Sequence, residues 1–287
     1  MVTAGRLQEV HHALDLVKDD PRLFTTAGCH PTRCQEMLSA PRDASKWDRD
    51  LGPADDGRVG RYIAAIESLI NTHKGKIVAV GECGLDYDRL HFCPRDVQIA
   101  CFEAQFDLAE RSGLPMFLHD RNTGTDFVGT NVAFFPLFWL TTDIFPTLDM
   151  VRRHRGRFSG GVVHSFTGTW AEAEELLGLG LSLGVNGCSL KTEENLQVAA
   201  RIPAERLMLE TDGPWCSIKA THASAKHVRT KLPTCKKEKF VAGQAVRDRC
   251  EPAHITQVLE VLAAIRGVDE DVLAAQCYDN TMKMFFA

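Results

Sequence analysis

Ile77-Val78-Ala79-Val80-Gly81-Glu82 is a run of four apolar residues that ends on a glycine and a carboxylate. Four or five apolar residues bounded by turn formers read as a buried parallel strand. Three further runs have the same form. Leu114-Pro115-Met116-Phe117-Leu118 leads into His119, Gly160-Gly161-Val162-Val163 into His164, and Arg206-Leu207-Met208-Leu209-Glu210-Thr211 into Asp212. Each run therefore ends on a side chain that can hold a divalent metal. A ligand at the carboxyl end of a parallel strand lies where α/β barrel enzymes place their chemistry. Fold and reaction class are thus read from one feature.

Two more runs read as strands: Leu23 to Ala27, before Gly28-Cys29-His30, and Leu181 to Val185, before Asn186-Gly187. Helical patterns lie between the runs. Apolar residues at 97, 101, 102, 106, 108 and 109 predict a helix over 97–111. Thr169 caps a predicted helix that reaches Leu179. A third helix is predicted over 255–266. Six strands alternating with helices imply βαβ units. Ligand candidates at the ends of several different strands favour a closed barrel over a doubly wound sheet. Residues 41–60 read as a polar surface loop. Residues of about 127–147, dense in Phe, fit neither strand nor helix. They are a hydrophobic lid, a partner surface or sequence foreign to the fold.

The chain has 287 residues, 44% hydrophobic and 25% charged, which suits one globular domain over 1–287 with a sizeable core. The net charge of −5 excludes a general attraction for nucleic acid. Residues 217–250 are the exception: nine Lys or Arg against two acids give +7, leaving −12 elsewhere. Taken alone, such a run reads as a solvated loop; beside a metal site it is a candidate phosphate surface. None of the ten cysteines forms a Cys-x-x-Cys pair, so a thiolate zinc knuckle is not expected. Scattered thiols, no signal peptide and no membrane-length apolar run predict an intracellular protein of nucleus or cytoplasm, with no membrane and no obligate protein partner.

Carboxylates and imidazoles without thiolates suit Mg, Mn or Zn, one ion or two. A two-metal site can activate water and neutralise a phosphodiester. A buried Glu82 after Val-Ala-Val-Gly needs a partner such as a metal. His119 and His164 read as ligands because both occupy equivalent strand ends, although either alone would read as a satisfied buried His. Asp212 is either a ligand or a turn Asp before Gly-Pro.

The strings GCHP (28–31), GECGLDYDRL (81–90), FLHDR (117–121), HSFTGT (164–169), NGCSLKTEENL (186–196), ETDGPW (210–215) and RCEPAHI (249–255) closely resemble the TatD family of metal-dependent deoxyribonucleases, most of all its eukaryotic branch. The resemblance covers nearly all of the chain outside 41–60 and 122–150. It implies a TIM-type (βα)8 barrel of the amidohydrolase superfamily and 3′-to-5′ exonuclease activity on DNA. It also implies roles. Glu82 resembles the carboxylate that bridges two metals, and His119 and His164 the imidazole ligands. Asp212 resembles the last-strand ligand that can take a proton from the attacking water. His30 matches a position near substrate; otherwise it is a helix-start His before Pro31. Arg121, Arg249, Glu251 and His254 match loop positions near the site, and Arg249 either holds phosphate or pairs with Glu251.

Asp120 stands where the family often has Cys, and Gly213 where Ala is usual. The larger departure is at the front. The chain opens on a helical stripe, Leu7, Val10, Leu14 and Val17, and the family's first two strands find no counterpart. The chain as written is therefore predicted to be poorly soluble or weakly active, and to be rescued by an upstream segment and deletion of about 128–147. Two rival readings stay open: another metal-dependent hydrolase of the superfamily, acting on an amide or ester, and an inactive truncated isoform that serves as an interaction protein.

Overall fold

The computed structural model describes residues 1–39, 57–128 and 149–287. These form two compact units, Met1–Gly161 and Val162–Ala287. Most of the expected polar loop at 41–60 and of the Phe-rich insert lies outside the described residues.

The first unit runs through α1 (Leu7–Val17), β1 (Thr25–Ala27), a short α2 (Gln35–Leu38), α3 (Arg58–Thr72), β2 (Ile77–Asp86), α4 (Arg95–Ser112), β3 (Met116–Arg121) and α5 (Met150–His154). Its strands are parallel, in the order β1-β2-β3. Strand β2 is buried on both faces except at half-buried Glu82, which is why its sequence is a near-continuous apolar run. The sequence reading ended this strand at Gly81. It continues to Asp86 because Cys83 and Leu85 are also buried.

Two glycines set the spacing between β2 and β3. Gly81 and Gly84 have φ of 147° and 144°. A Cβ on Gly81 would lie 2.2 Å from the Phe117 carbonyl oxygen, and one on Gly84 1.9 Å from that of His119. Only a residue without a side chain permits this approach. The register slips between Val80 and Cys83. Such a bulge re-aims a side chain, and here it contains Glu82.

The predicted α1 stripe is buried at Leu7, Val10, Leu14 and Val17. Ahead of it, Val2 pairs in parallel with Thr25. The Val2 amide donates to the Phe24 carbonyl (2.8 Å), and the Thr26 amide to that of Val2 (3.2 Å). The amides of Glu82 and His30 donate to Ala4 (3.1 Å) and Gly5 (2.8 Å). Residues 2–5 therefore extend the β1 edge. Among the described residues no strand precedes β1, and Val2 is an isolated bridge; Val-Thr-Ala-Gly is too short and too mixed for the sequence to show this edge contact. Helix α3 is a second omission. It buries Tyr62, Ile63, Ile66 and Ile70, and its first turn had been assigned to the polar loop.

The second unit runs through β4 (Gly161–Val163), α6 (Trp170–Gly178), β5 (Ser182–Val185), α7 (Glu193–Arg201), β6 (Leu207–Leu209), β7 (Thr234–Cys235), β8 (Ala245–Val246), α8 (Ile255–Arg266) and α9 (Glu270–Phe285). Strands β4, β5 and β6 are parallel neighbours in that order, and β7 pairs with β8. Thr169 and Glu172 form the capping box of α6, as the sequence predicts, and Thr192 with Asn195 that of α7. The basic segment is anchored at Glu260 of α8, which accepts from the amides of Arg229 (2.8 Å) and Thr230 (3.0 Å). Burial opposes charge on Glu260, but the Thr230 hydroxyl and these amides outweigh it and hold the carboxyl below its ordinary range. Among the described residues no helix is long and apolar enough to cross a membrane.

The glycine contacts give a direct test of this packing. Gly84→Ala should destabilise the protein by about 1–3 kcal/mol, read as a lower denaturation midpoint in urea. An unchanged midpoint would show that β3 does not approach β2 as described.

Candidate metal centre

Four side chains of the first unit meet where β1, β2 and β3 run toward their carboxyl ends. His119 Nδ1 lies 2.9 Å from Glu82 Oε1, and its Nε2 lies 3.3 Å from Asp86 Oδ2. His30 Nε2 is 3.4 Å from the same Glu82 oxygen. The two imidazoles meet edge to face, with centroids 4.6 Å apart. His30, Asp86 and His119 each offer a donor atom within 4.8 Å of the others'.

Charge decides what this cluster can hold. Both nitrogens of one imidazole face carboxylates, so a positive charge must sit among them, either on the ring or as a bound cation. Asp86 is fully buried, and its Oδ1 has no hydrogen-bond partner. Its Oδ2 also receives Arg89 Nη1 at 2.9 Å. Burial opposes ionisation of Asp86, yet the hydrogen bond and charge of His119, with the charge of Arg89, hold its pKa below the ordinary value. A charged carboxylate with one unpaired oxygen, beside imidazole and a second carboxylate, fits a divalent cation that takes nitrogen and oxygen donors.

Two glutamines of α4 fix the backbone under this cluster. Gln105 Oε1 accepts from the Cys29 amide at 2.7 Å, and its Nε2 donates to the Cys29 carbonyl at 3.1 Å. Gln98 Oε1 accepts from the Asp86 amide at 2.8 Å, and its Nε2 donates to the Asp86 carbonyl at 2.9 Å. Each clamps both polar groups of one residue, next to His30 in one case and Asp86 itself in the other. Both glutamines are fully buried. His30 has a local task as well. Its Nδ1 accepts from the Thr32 amide at 3.1 Å, capping the turn at Pro31, and its Nε2 faces Glu82. The helix-start task of His30 is thus seen directly, and the same ring lies beside Glu82.

In the second unit, His164 follows β4 and Asp212 follows β6. His164 is 7% exposed, and its Nδ1 lies 3.6 Å from Glu210 Oε2. Glu210 also accepts from the Ser165 amide. Ser165 and Asp212 have φ of 50° and 47°, a left-handed region that non-glycine residues seldom occupy and that recurs at functional sites. Asp212 Oδ2 accepts from the Cys216 thiol at 3.2 Å. A hydrogen bond with Cys188 is the main force raising the Cys216 pKa, followed by burial and the charge of Asp212. Burial, then the charge of Glu82, likewise raises that of Cys83. Neither is a thiolate nucleophile.

The structure thus brings Glu82 and His119 together, and adds His30 and Asp86 to them. His164 and Asp212 stand at strand ends of the second unit, with Glu210 beside His164. The sequence reading missed Asp86 by ending its strand early, and missed Glu210 by counting it within one. The signal for the glutamines was available: 98 and 105 lie one heptad apart among the apolar positions of α4. Arg121 Nε pairs with Asp88 at 2.9 Å. Arg249 pairs with Glu251 through Nε and Nη2, at 2.9 and 2.7 Å.

Residues 1–286 match the family model described as TatD related DNase. The chain is 38% identical to "Deoxyribonuclease Tat-D" of Schizosaccharomyces pombe over 288 residues, covering 99% of this chain and 81% of the relative. It is 32% identical to "3'-5' ssDNA/RNA exonuclease TatD" of a Rahnella species over 289 residues, covering 99% and 86%. Among solved structures, a hydrolase TatD family protein from Entamoeba histolytica superposes with a TM-score of 0.78 at 29% identity, over 99% of this chain and 83% of its own. The likeness extends across the chain, and the fold is α/β of the TIM-barrel type.

Asp86→Asn keeps the shape of the cluster and removes one charge. It should weaken Mn2+ binding at least about tenfold in a calorimetric titration, with the circular dichroism spectrum unchanged. Equal affinity would remove Asp86 from the ligand set.

Proposed function

The chain belongs to the TatD related DNase family, and from that membership we propose that it is a divalent-metal-dependent deoxyribonuclease that hydrolyses phosphodiester bonds of DNA from the 3′ end. The observation that supports this most strongly is the buried, unpaired carboxylate oxygen of Asp86 beside His119 and Glu82. Nucleases of this family are metal-dependent, and such a cluster is what a metal-dependent hydrolase requires of its protein.

Each residue then has a task. Glu82, His119, His30 and Asp86 would hold a cation in the first unit, and His164 and Asp212 are the candidate ligands of the second unit. One or two ions of Mg, Mn or Zn would supply Lewis acidity toward the phosphoryl oxygens and lower the pKa of a bound water. Asp212 accepts a proton from the attacking water as the water oxygen bonds to phosphorus, and returns it to the departing 3′ oxygen of the neighbouring nucleotide as the P–O bond breaks. The Cys216 thiol keeps its carboxylate oriented. Gln98 and Gln105 prevent the strand ends from shifting under the ligands. Arg121 and Arg249 exchange their acidic partners for a backbone phosphate. The basic segment supplies diffuse attraction, because its lysines are exposed and have no docking motif that reads bases. Lys236, Lys237 and Lys239 are all exposed.

A 5′-labelled single-stranded DNA oligonucleotide incubated with Mg2+ or Mn2+ should shorten stepwise from its 3′ end. EDTA should stop this, and Glu82→Gln should lower kcat/KM at least about a hundredfold. Turnover of amide or carboxyl-ester substrates in place of DNA would overturn the reading, as would activity indifferent to EDTA. Neutralising Lys236, Lys237 and Lys239 together should weaken binding similarly for all sequences and reduce the salt slope by about 3. An unaltered slope would show that the cluster is only a solvated loop.

A further inference from the structure

Trp215 is 78% exposed, the most exposed of the large apolar side chains among the described residues. It stands three positions after Asp212, on a backbone pinned from both sides. Its amide donates to the Asp212 carbonyl at 3.0 Å, and the Cys250 amide donates to the Pro214 carbonyl at 3.0 Å. The thiols of Cys216 and Cys250 are buried, donating to Asp212 Oδ2 (3.2 Å) and to the Thr211 carbonyl (3.3 Å). A Cβ on Gly213 would lie 2.8 Å from the Cys250 carbonyl oxygen, so the two backbone segments are in contact. The turn is therefore rigid, and the indole it carries is uncovered.

Basic side chains border the turn, one on the packed segment and others in the sequence that follows. The Cys250–Pro214 hydrogen bond brings Arg249 alongside the turn, with its guanidinium fixed by Glu251. Trp215 also opens directly into the +7 segment of residues 217–250. A flat exposed apolar face is complementary to an unstacked base, and the basic side chains that border it in the sequence are complementary to its phosphates, the pairing by which single-stranded nucleic acid is held. A duplex hides its base faces in the stack, whereas a single-stranded or frayed end presents them. A π-face does not distinguish ribose from deoxyribose.

We propose that Trp215 is a stacking platform for a base of the single-stranded nucleic acid whose backbone is cut. This rests on the nuclease reading but is tested apart from it. Binding is measured in EDTA, where no cleavage occurs, by the fluorescence anisotropy of two labelled oligomers of equal length and charge. One is oligothymidylate and the other carries abasic deoxyribose phosphates throughout. The wild-type protein should bind oligothymidylate about tenfold more tightly. Trp215→Ala should abolish that preference by weakening oligothymidylate binding alone, and Trp215→Phe should keep most of it.

Equal affinity of the wild-type protein for both oligomers would overturn the proposal and leave the exposed face to an apolar partner. An equal loss for both oligomers in Trp215→Ala would also overturn it, since that is the mark of a displaced turn. The nuclease reading has its own control, hydrolysis of the base-free diester bis(p-nitrophenyl) phosphate by the wild-type protein with Mn2+. Its absence would count against hydrolysis, and the oligomer comparison would still decide the role of Trp215.

Discussion

One imidazole between two carboxylates organises the first unit. His119 presents Nδ1 to Glu82 and Nε2 to Asp86, and a buried carboxylate beside a half-buried one is stable only with positive charge among them. The neighbourhood follows from this requirement. Gly81 and Gly84 let β3 come close enough for His119 to reach β2. The register slip between Val80 and Cys83 contains Glu82. Gln98 and Gln105 hold the strand ends with paired amide hydrogen bonds. Buried hydrogen bonds of this kind are costly to leave unmade, so these glutamines contribute to stability and fix the backbone at Cys29 and Asp86 together.

The strands were legible because parallel strands buried on both faces read as apolar runs, and the strand-end ligand candidates were legible because each run ended on a polar residue. The rest failed for definite reasons. Asp86 was hidden because Glu82, halfway along β2, looked like a terminus; only the burial of Cys83 and Leu85 shows that the strand continues. Residues 2–5 join the β1 edge through backbone hydrogen bonds, which leave no side-chain pattern. Helix α3 carries its stripe at Tyr62, Ile63, Ile66 and Ile70, but a run of Asp, Gly and Pro before it drew its first turn into a loop. Arg249 left two readings open in the sequence, and the structure pairs it with Glu251.

The second unit solves a different problem: presenting polar groups at the ends of short strands. Strands β4 and β6 have three residues each, and the backbone turns sharply after them, at Ser165 and Asp212. Thiols do the work of fastening. Cys216 and Cys250 serve as buried donors around the Asp212 turn, and burial helps to raise the pKa of both. That explains how a chain with ten cysteines uses some of them without thiolate chemistry. The same fastening holds the backbone that carries exposed Trp215.

The proposal that His119 shares its carboxylate cage with a metal ion is tested most directly by electron spin echo measurements on the Mn2+-loaded protein. With 15N-histidine in the protein, the account predicts modulation from directly coordinated imidazole nitrogen, reduced in His119→Ala while a second imidazole coupling persists. Bound Mn2+ without any histidine nitrogen coupling, or with coupling unaffected by His119→Ala, would contradict it.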